Sequence, residues 1–339
     1  METVIFGRTG LNVSRTGFGC IPIQRISYEE STALLRHAYD NGITLYDTAN
    51  SYTTSEERIG IALHDVRAKI VICTKSGAKT PEKLMENIDN SLKMLKTDYI
   101  DVLQLHNPPF VPVPDGNDGL YNCLLNAKKQ GKIRHIGITQ HSKDRAKEAV
   151  LSDHYDVLQY PFSYLSSDEE ITLVDLCRQR NVGYLAMKGL CGGLLKNAKA
   201  AFTFIRQYEN AVPIWGMQKM QELKEFLLYE ENPPLFDSEM KNAIETDKAE
   251  LQGNFCRCCG YCLPCPAGIP INNAARISFL LGRTVKANFL TPQWQENMKR
   301  IDNCTSCGHC KAHCPYGLDV PAILKKQQKK FFEILNEAG

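Results

Sequence analysis

Two runs of cysteines toward the carboxyl end of the chain constrain its fold more than any other feature. The second run has the spacing C-x2-C-x2-C-x3-C-P and consists of Cys304, Cys307, Cys310 and Cys314, followed by Pro315. This spacing is typical of a [4Fe-4S] site, in which three cysteines of a run bind one cluster and the fourth usually binds another. A single run is therefore incomplete, and the spacing predicts a partner run elsewhere in the chain.

The partner run lies upstream and again ends at a proline, Pro266. It consists of Cys256, Cys259, Cys262 and Cys265. The two runs share short segments, C-G-Y-C and C-P-A-G in the first and C-G-H-C and C-P-Y-G in the second. A structural zinc site is the alternative, but zinc takes four ligands, typically as two spaced pairs, and nine cysteines between 256 and 314 exceed that number. The two runs favour iron-sulfur clusters over zinc.

With these motifs, the C-terminal part of the chain resembles the two-cluster bacterial-type ferredoxin domain. The resemblance implies that one [4Fe-4S] cluster is bound by Cys256, Cys259, Cys262 and Cys314. It implies that the other is bound by Cys304, Cys307, Cys310 and Cys265. The first run departs from the family pattern, because two residues separate its last two cysteines and an extra thiol, Cys258, precedes Cys259. This departure concerns the identity of one ligand and not the presence of the cluster.

Size and charge limit what the rest of the chain can be. The 339 residues are 43% hydrophobic, which is enough for a barrel-sized domain and a smaller one. Lys and Arg total 40 against 38 Asp and Glu, so the overall charge does not suggest binding to nucleic acid or to an anionic membrane. The N-terminus lacks the order of a signal peptide, and no apolar stretch is long enough to span a bilayer. A cytoplasmic protein is expected, with the five scattered cysteines as core or loop thiols.

Strand and helix patterns alternate through the first two thirds of the chain. A hairpin is predicted at 4–13, and a capping box at Ser27 opens the first helix. The predicted parallel strands are 15–20, 43–46, 70–74, 99–105, 133–138, 157–160, 183–187 and 212–215. Eight strands that alternate with helices predict a parallel (β/α)8 TIM barrel, because an open doubly wound sheet would need a glycine-rich phosphate loop that is missing from the sequence.

The pattern changes at a run of Glu, Asn and Pro that ends near Pro234. We therefore predict a barrel at 1–234, a helical linker at 235–252 and the cluster domain at 253–339. Near the end of the chain, the stretch 321–335 is rich in lysine but places Leu324, Phe331 and Leu335 on one helical face, which predicts a closing helix packed on that domain.

In a TIM barrel the active site lies at the carboxyl ends of the strands, so candidate groups can be read from the strand ends. Those positions hold Asp47, Tyr52, Lys75 and His106. A single tyrosine or histidine in a loop is more often a packing or surface residue, but together the four form an acid-base set. A tyrosine with a pKa of ~10 is a poor proton donor, and a buried cation beside it favours the phenolate. Lys75 is expected to supply that cation and lower the pKa of Tyr52.

At these residues the sequence resembles the aldo-keto reductases, from the opening hairpin to the eighth barrel helix. The four candidates fall in the segments DTANSY at 47–52, TKS at 74–76 and LHNP at 105–108, and further matching stretches lie at 133–138, 155–160 and 186–193. The resemblance implies nicotinamide-dependent reduction of a small carbonyl substrate with Tyr52 as the proton donor. It implies that Asp47 holds Lys75 and that His106 orients the carbonyl oxygen.

The same resemblance implies a binding site for NADP(H) or NAD(H). The residues implied at the carboxamide are Thr139, Gln140 and Gln159, and those at the diphosphate are Lys188, Gly189, Leu190 and Gly216. A helix N-terminus near Gly216 independently suits phosphate. The family commonly has serine and asparagine in place of Thr139 and Gln140, and proline in place of Gly189. Lys219 is the obvious partner for a 2′-phosphate, which favours NADPH over NADH.

Three hypotheses combine the two parts of the chain. The first is a nicotinamide-dependent carbonyl reductase whose clusters are structural or exchange electrons with a partner. The second is a reductase coupled to a ferredoxin or other electron carrier, in which the clusters feed electrons to the barrel. Because clusters move one electron and hydride transfer moves two, this coupling needs a flavin or a radical-stabilising substrate, and the sequence has no flavin fingerprint. The third is a redox sensor without turnover, which the complete acid-base set disfavours. The first hypothesis is preferred.

Overall fold

The chain begins with a small hairpin that closes one end of a larger domain. The computed structural model describes residues 1–251, 255–283 and 288–337. β1 (Thr3–Ile5) and β2 (Asn12–Ser14) pair antiparallel, as the sequence predicted. The turn between them passes so close to the main chain of Gly183 that a Cβ on Gly7 would lie 2.2 Å from its amide nitrogen. Glycine at position 7 therefore allows the hairpin to pack closely against the barrel, with Phe6 and Val13 buried in the barrel core.

Eight parallel strands form a closed barrel, which confirms the predicted TIM-barrel fold. Their order around the barrel is β10-β3-β4-β5-β6-β7-β8-β9. The strands are β3 (Gly17–Gly19), β4 (Leu45–Asp47), β5 (Val71–Ser76), β6 (Ile100–His106), β7 (Ile133–Thr139), β8 (Val157–Pro161), β9 (Gly183–Met187) and β10 (Ala211–Gly216). Each predicted strand overlaps one of these, and no predicted end differs from the observed end by more than two residues.

Helices follow the strands and cover the barrel. They are α1 (Tyr28–Asp40), α2 (Ser55–Leu63), α3 (Pro81–Leu95), α4 (Leu120–Lys129), α5 (Lys143–Leu151), α6 (Asp168–Gln179), α7 (Ala198–Arg206) and α8 (Met220–Glu231). The predicted capping box at Ser27 is present, and Ser167 forms a second one. Each serine side chain accepts a hydrogen bond from the backbone amide of the glutamate three residues on, and that glutamate accepts one from the serine backbone amide. Capping at these two sites fixes where α1 and α6 begin.

Side-chain alternation along the strands places a polar layer directly above the apolar core of the barrel. Successive side chains of a strand point to opposite faces, so residues two apart face the same way. Val102 lies in the barrel core, and Gln104 and His106 follow it at two-residue steps on β6. The same step leads from Leu45 to Asp47 on β4, and from core to polar residue on β5 and β8. The carboxyl ends of the strands therefore present polar groups inward.

The structure divides into two compact units. The first consists of 1–189 and 199–241, and the second of 190–198 and 242–339. The division falls inside α9 (Ser238–Glu250), within the predicted linker. The predicted start of the cluster domain at residue 253 lies outside the described residues, so these boundaries remain predictions.

The second unit is helical, and α14 is the longest of the helices named here. These helices are α10 (Ile271–Ala274), α11 (Ile277–Arg283), α12 (Pro292–Lys299), α13 (His309–Ala312) and α14 (Val320–Glu337). The predicted closing helix corresponds to α14, in which Leu324 and Phe331 are buried. Within the described ranges, we find no helix with the length and apolar composition needed to cross a membrane.

Candidate functional site

A buried ion pair lies at the carboxyl ends of β4 and β5. The Nζ of Lys75 donates to Oδ1 and Oδ2 of Asp47 at 2.8 and 2.7 Å and to the carbonyl oxygen of Thr48 at 2.5 Å. The side chains of Lys75 and Asp47 are 1% and 4% exposed. Three short bonds satisfy all three hydrogens of the ammonium, so the charge is held at one place inside the barrel.

Burial and mutual attraction compete in setting the pKa values of this pair. Burial acts to lower the pKa of Lys75, but the adjacent Asp47 carboxylate outweighs it and the pKa of the lysine is raised. Burial raises the pKa of Asp47, against the opposing effect of Lys75 and of hydrogen bonds from two glutamines. Lys75 therefore keeps its positive charge, and the pair presents a fixed cation to the space above it.

Tyr52 and His106 lie beside the ion pair at the same rim. The loop after β4 is held by the amide of Asn50, which bonds the carbonyl oxygen of Lys75 at 2.9 Å, and it brings the half-buried Tyr52 ring to 5.4 Å from the Lys75 Nζ. The ring centroids of Tyr52 and His106 are 6.0 Å apart, edge to face. The four candidate residues predicted from separate strand ends thus lie together.

The expected lowering of the Tyr52 pKa is wrong. Burial raises the pKa of the phenol, and the charge of Lys75, which acts in the expected direction, does not cancel that effect. The sequence reasoning included the cation but could not weigh it against desolvation, which depends on the packing around the ring. Tyr52 is therefore a protonated phenol throughout the neutral pH range.

His106 is a neutral imidazole at neutral pH. Burial lowers its pKa to about 3, and the positive charge of Lys75 adds to this effect. A neutral imidazole can donate one hydrogen bond and accept another, so His106 is suited to hold a polar atom in place rather than to deliver a proton.

A network of amides and a hydroxyl supports the ion pair from below. The Nε2 atoms of Gln104 and Gln159 donate to Asp47 at 3.3 and 3.4 Å, and the Thr139 hydroxyl lies 3.0 Å from the Gln104 Oε1. Gln104 was missed in the sequence, although it is a polar residue two positions before His106 in an apolar strand. Gln159 uses one of its two amide hydrogens on Asp47, and the other can serve a carboxamide.

Gln140 makes a different set of contacts from Thr139 and Gln159. Its backbone amide donates to the carbonyl oxygen of Gln159, its Nε2 donates to the carbonyl oxygen of Pro108 at 3.1 Å, and its Oε1 accepts from Arg145. Gln140 thus ties the loop after β6 to the end of β7. Its side chain supports the site and lies fully buried.

The residues expected at the diphosphate lie just after β9 and at the end of β10. Lys188 has a left-handed φ of 60°, and a Cβ on Gly189 would lie 2.5 Å from the indole of Trp215, so only glycine fits there without a shift. Leu190 begins the 190–198 segment of the second unit. Gly216 ends β10.

The start of α8 already holds a carboxylate. Glu222 accepts the backbone amides of Gln218 and Lys219 through Oε2, at 2.9 and 3.1 Å. A helix N-terminus favours an anion, and here the side chain of Glu222 takes part of that role. The sequence signal for this was a glutamate three residues into the helix, at the position of a capping box. A phosphate near Lys219 would meet this negative charge.

In the second unit, cysteines from both runs line one cavity. It has a volume of about 250 Å³, and the cysteines in its wall are Cys262, Cys265, Cys304, Cys307 and Cys310. His309 also lines it, and the Nε2 of this residue is buried with no hydrogen-bond partner among the described residues. The last two cysteines of the first run thus share a cavity with the first three of the second. The His309 ring nitrogen and five thiols around a space of this size fit an iron-sulfur cluster, whose sulfur atoms accept hydrogen bonds.

The first run is packed more tightly. The backbone amide of Cys258 donates to Sγ of Cys256 at 3.4 Å, in a left-handed turn at Cys258. Burial raises the pKa of the Cys256 thiol to about 11 and that of Cys262 to about 12. In the part of the chain that the structure describes, no three His, Cys, Asp or Glu side chains converge closely enough to hold a single metal ion.

Comparisons with known proteins match both parts of the chain. Residues 12–203 match the model of the aldo/keto reductase family, and residues 255–319 match a 4Fe-4S dicluster domain. Over 215 residues the chain is 30% identical to Aldo-keto reductase YhdN of Bacillus subtilis, and over 216 residues it is 31% identical to L-galactose dehydrogenase of Arabidopsis thaliana. Each match covers 58% of this chain, and 64% and 67% of those proteins. The chain thus spans about two thirds of the length of these relatives.

Solved structures give the same result for the barrel. An aldo-keto reductase structure from Pseudomonas aeruginosa matches with a TM-score of 0.59 and 25% identity, and the match covers 67% of this chain and 93% of that one. The similarity to a barrel of this type, followed by a dicluster domain, confirms the two resemblances found in the sequence.

Proposed function

Because the chain belongs to the aldo/keto reductase family, we propose that it is a nicotinamide-dependent oxidoreductase that reduces the carbonyl group of a small aldehyde or ketone. The observation that best supports this function is the buried Lys75–Asp47 pair beside Tyr52, with His106 across the tyrosine ring. Carbonyl reduction needs a proton donor and a means of stabilising the charge that develops as the donor ionises. These residues are the groups that can provide both.

Each of these four residues has a separate role in the proposed reaction. Tyr52 donates its hydroxyl proton to the carbonyl oxygen, and water later restores that proton. Lys75 stabilises the tyrosinate as it forms, and Asp47 keeps Lys75 in position. His106, neutral because its pKa is about 3, donates a hydrogen bond that orients the carbonyl oxygen. The raised pKa of Tyr52 keeps the proton available before reaction, so the effect of Lys75 is felt mainly as the proton leaves.

The nicotinamide cofactor, NADP(H) or NAD(H), supplies the hydride when bound. Gln159 and Thr139 hold the carboxamide, using the amide hydrogen that Gln159 does not spend on Asp47. The diphosphate is held by Lys188, Gly189 and Gly216, and Lys219 binds the 2′-phosphate of NADPH. Gln140 holds Gln159 in place, because the backbone amide of Gln140 donates to the carbonyl oxygen of Gln159.

Two [4Fe-4S] clusters occupy the second unit. The first is held by Cys256, Cys259, Cys262 and Cys314. The second is held by Cys304, Cys307, Cys310 and Cys265. The shared cavity supports the crossing of Cys265 to the second set. The clusters supply one-electron transfer, and Cys307 is exposed, so a ferredoxin or similar carrier can approach the second cluster from solvent.

Absorbance spectra of the anaerobically purified protein test this function. They are recorded before and after the addition of NADPH, and then with a panel of aldehydes and ketones. We expect NADPH oxidation that depends on the carbonyl compound. Protein reduced with dithionite in the absence of NADPH should not reduce the same compounds, because hydride transfer needs two electrons at one centre. Turnover with dithionite or reduced ferredoxin alone would favour the carrier-coupled reductase. Absence of turnover under both conditions would favour the redox sensor.

A further inference from the structure

Arg276 is a buried cation of the second unit. It lies between α10 and α11 and is 4% exposed. Its Nη1 donates to the carbonyl oxygen of Cys191 at 3.2 Å, and within the described part of the chain its buried Nε has no hydrogen-bond partner. Among the residues that the structure describes, no carboxylate pairs with this guanidinium. A buried charge without a counterion is strongly unfavourable, so an anion is expected next to it.

The first cysteine run lies beside this guanidinium. A Cβ built on Gly192 would lie 3.2 Å from Nη1 of Arg276 and 3.5 Å from Cβ of Cys258, so both side chains face the same glycine. Sγ of Cys256 contacts the carbonyl oxygen of Asn272, one helical turn before Arg276. The missing anion is therefore to be sought among the thiolates of this run.

We propose that Arg276 is the counter-cation of the cluster bound by the first cysteine run, and that its fixed charge raises the reduction potential of this cluster. The proposal rests on the proposed assignment of Cys256, Cys259 and Cys262 as ligands. Reduction adds one electron, and one negative charge, to a cluster already surrounded by thiolates. A cation held nearby in a low dielectric stabilises the reduced form more than the oxidised form, and so raises the potential.

Three variants of the full chain test this role, each loaded with iron and sulfide and titrated with dithionite while the clusters are followed by electron paramagnetic resonance. Arg276→Gln removes the charge and Arg276→Lys keeps it. Lys325→Met removes a solvent-exposed charge that pairs with Asp302 in the same unit. We expect Arg276→Gln to lower one of the two potentials by at least a tenfold change in the reduction equilibrium, about 59 mV for one electron. Arg276→Lys should retain most of the native value, and Lys325→Met should leave both potentials unchanged because solvent screens it.

Unchanged potentials in Arg276→Gln at full iron content would overturn the proposal, and so would equal shifts in Arg276→Gln and Arg276→Lys. If Arg276→Gln loses one cluster, retention of that cluster in Arg276→Lys supports the role of the charge, and equal loss in both variants contradicts it. Wild-type protein that contains zinc and no acid-labile sulfide would instead contradict the cluster assignment itself.

Discussion

The Nζ of Lys75 lies 2.7 Å from Oδ2 of Asp47, and both side chains are almost completely buried. Removing one partner of such a pair leaves an uncompensated charge in the core, which costs about 3–5 kcal/mol, whereas replacing both with apolar residues is often close to neutral. We expect Lys75→Met to lower the free energy of unfolding of the barrel by that amount. The double variant Asp47→Leu/Lys75→Met should recover much of the loss. Denaturation of both variants, analysed as a double-mutant cycle, measures the coupling, and strict additivity would contradict it.

Tyr52→Phe removes the proposed proton donor while it keeps the ring beside Lys75. Loss of a general acid costs roughly 10²- to 10⁴-fold in rate, so we expect kcat for carbonyl reduction to fall by that factor with nearly unchanged cofactor affinity. Tyr28→Phe is a suitable control, because Tyr28 is exposed and its hydroxyl bonds to Glu57 at the surface. Steady-state rates and fluorescence titration with NADPH give the two quantities. Full activity in Tyr52→Phe would show that another group delivers the proton.

The low pKa of His106 is expected to make the stability of the folded protein depend on pH. Its pKa is about 3 in the folded protein, while a histidine in the unfolded chain titrates near 6.5. Between these values the unfolded state binds one more proton, so the contribution of this residue to stability falls as pH drops from about 6.5 toward 3. We expect the melting temperature of His106→Gln to depend less on pH in this window than that of the wild type. His64→Gln, at an exposed histidine, serves as a control. Equal slopes of melting temperature against pH in the wild type and both variants would contradict the low pKa of His106.

Much of the barrel could be predicted because its signals are local. Strand ends, capping boxes and two-residue alternation each depend on a few neighbouring residues, and they were enough to bring Asp47 and His106 to one rim. The pKa of Tyr52 could not be predicted, because it depends on a balance between burial and the Lys75 charge that only the packed structure defines. The role of Arg276 was likewise hidden, since its partner Cys191 is 85 residues away in the chain.

Glu222 is expected to affect the choice between NADPH and NADH. Its carboxylate caps α8 through the amides of Gln218 and Lys219, where a 2′-phosphate is proposed to bind. Two like charges a few ångströms apart at a solvated surface repel by roughly 1 kcal/mol, about fivefold in affinity. Glu222→Gln keeps a capping oxygen and should improve binding of NADPH relative to NADH by that factor. Glu225→Gln, one turn further along the exposed face, is the matched control, and an unchanged ratio of dissociation constants would exclude this role for Glu222.

The roles of Cys258 and Cys314 in the second unit can be distinguished by the iron content of variants at each position. Cys258 takes part through its main chain, because its amide bonds Sγ of Cys256 at 3.4 Å, and an alanine at this position keeps that amide. Cys258→Ala should therefore retain about eight irons per chain, the content of two [4Fe-4S] clusters. Cys314→Ser should lose about four irons, because the fourth cysteine of such a run binds the other cluster. Electron paramagnetic resonance of the reduced protein then identifies the lost cluster, which we expect to be the first. If Cys258→Ala loses the iron and Cys314→Ser keeps it, the extra thiol is the ligand and the crossing pattern does not hold for the first run.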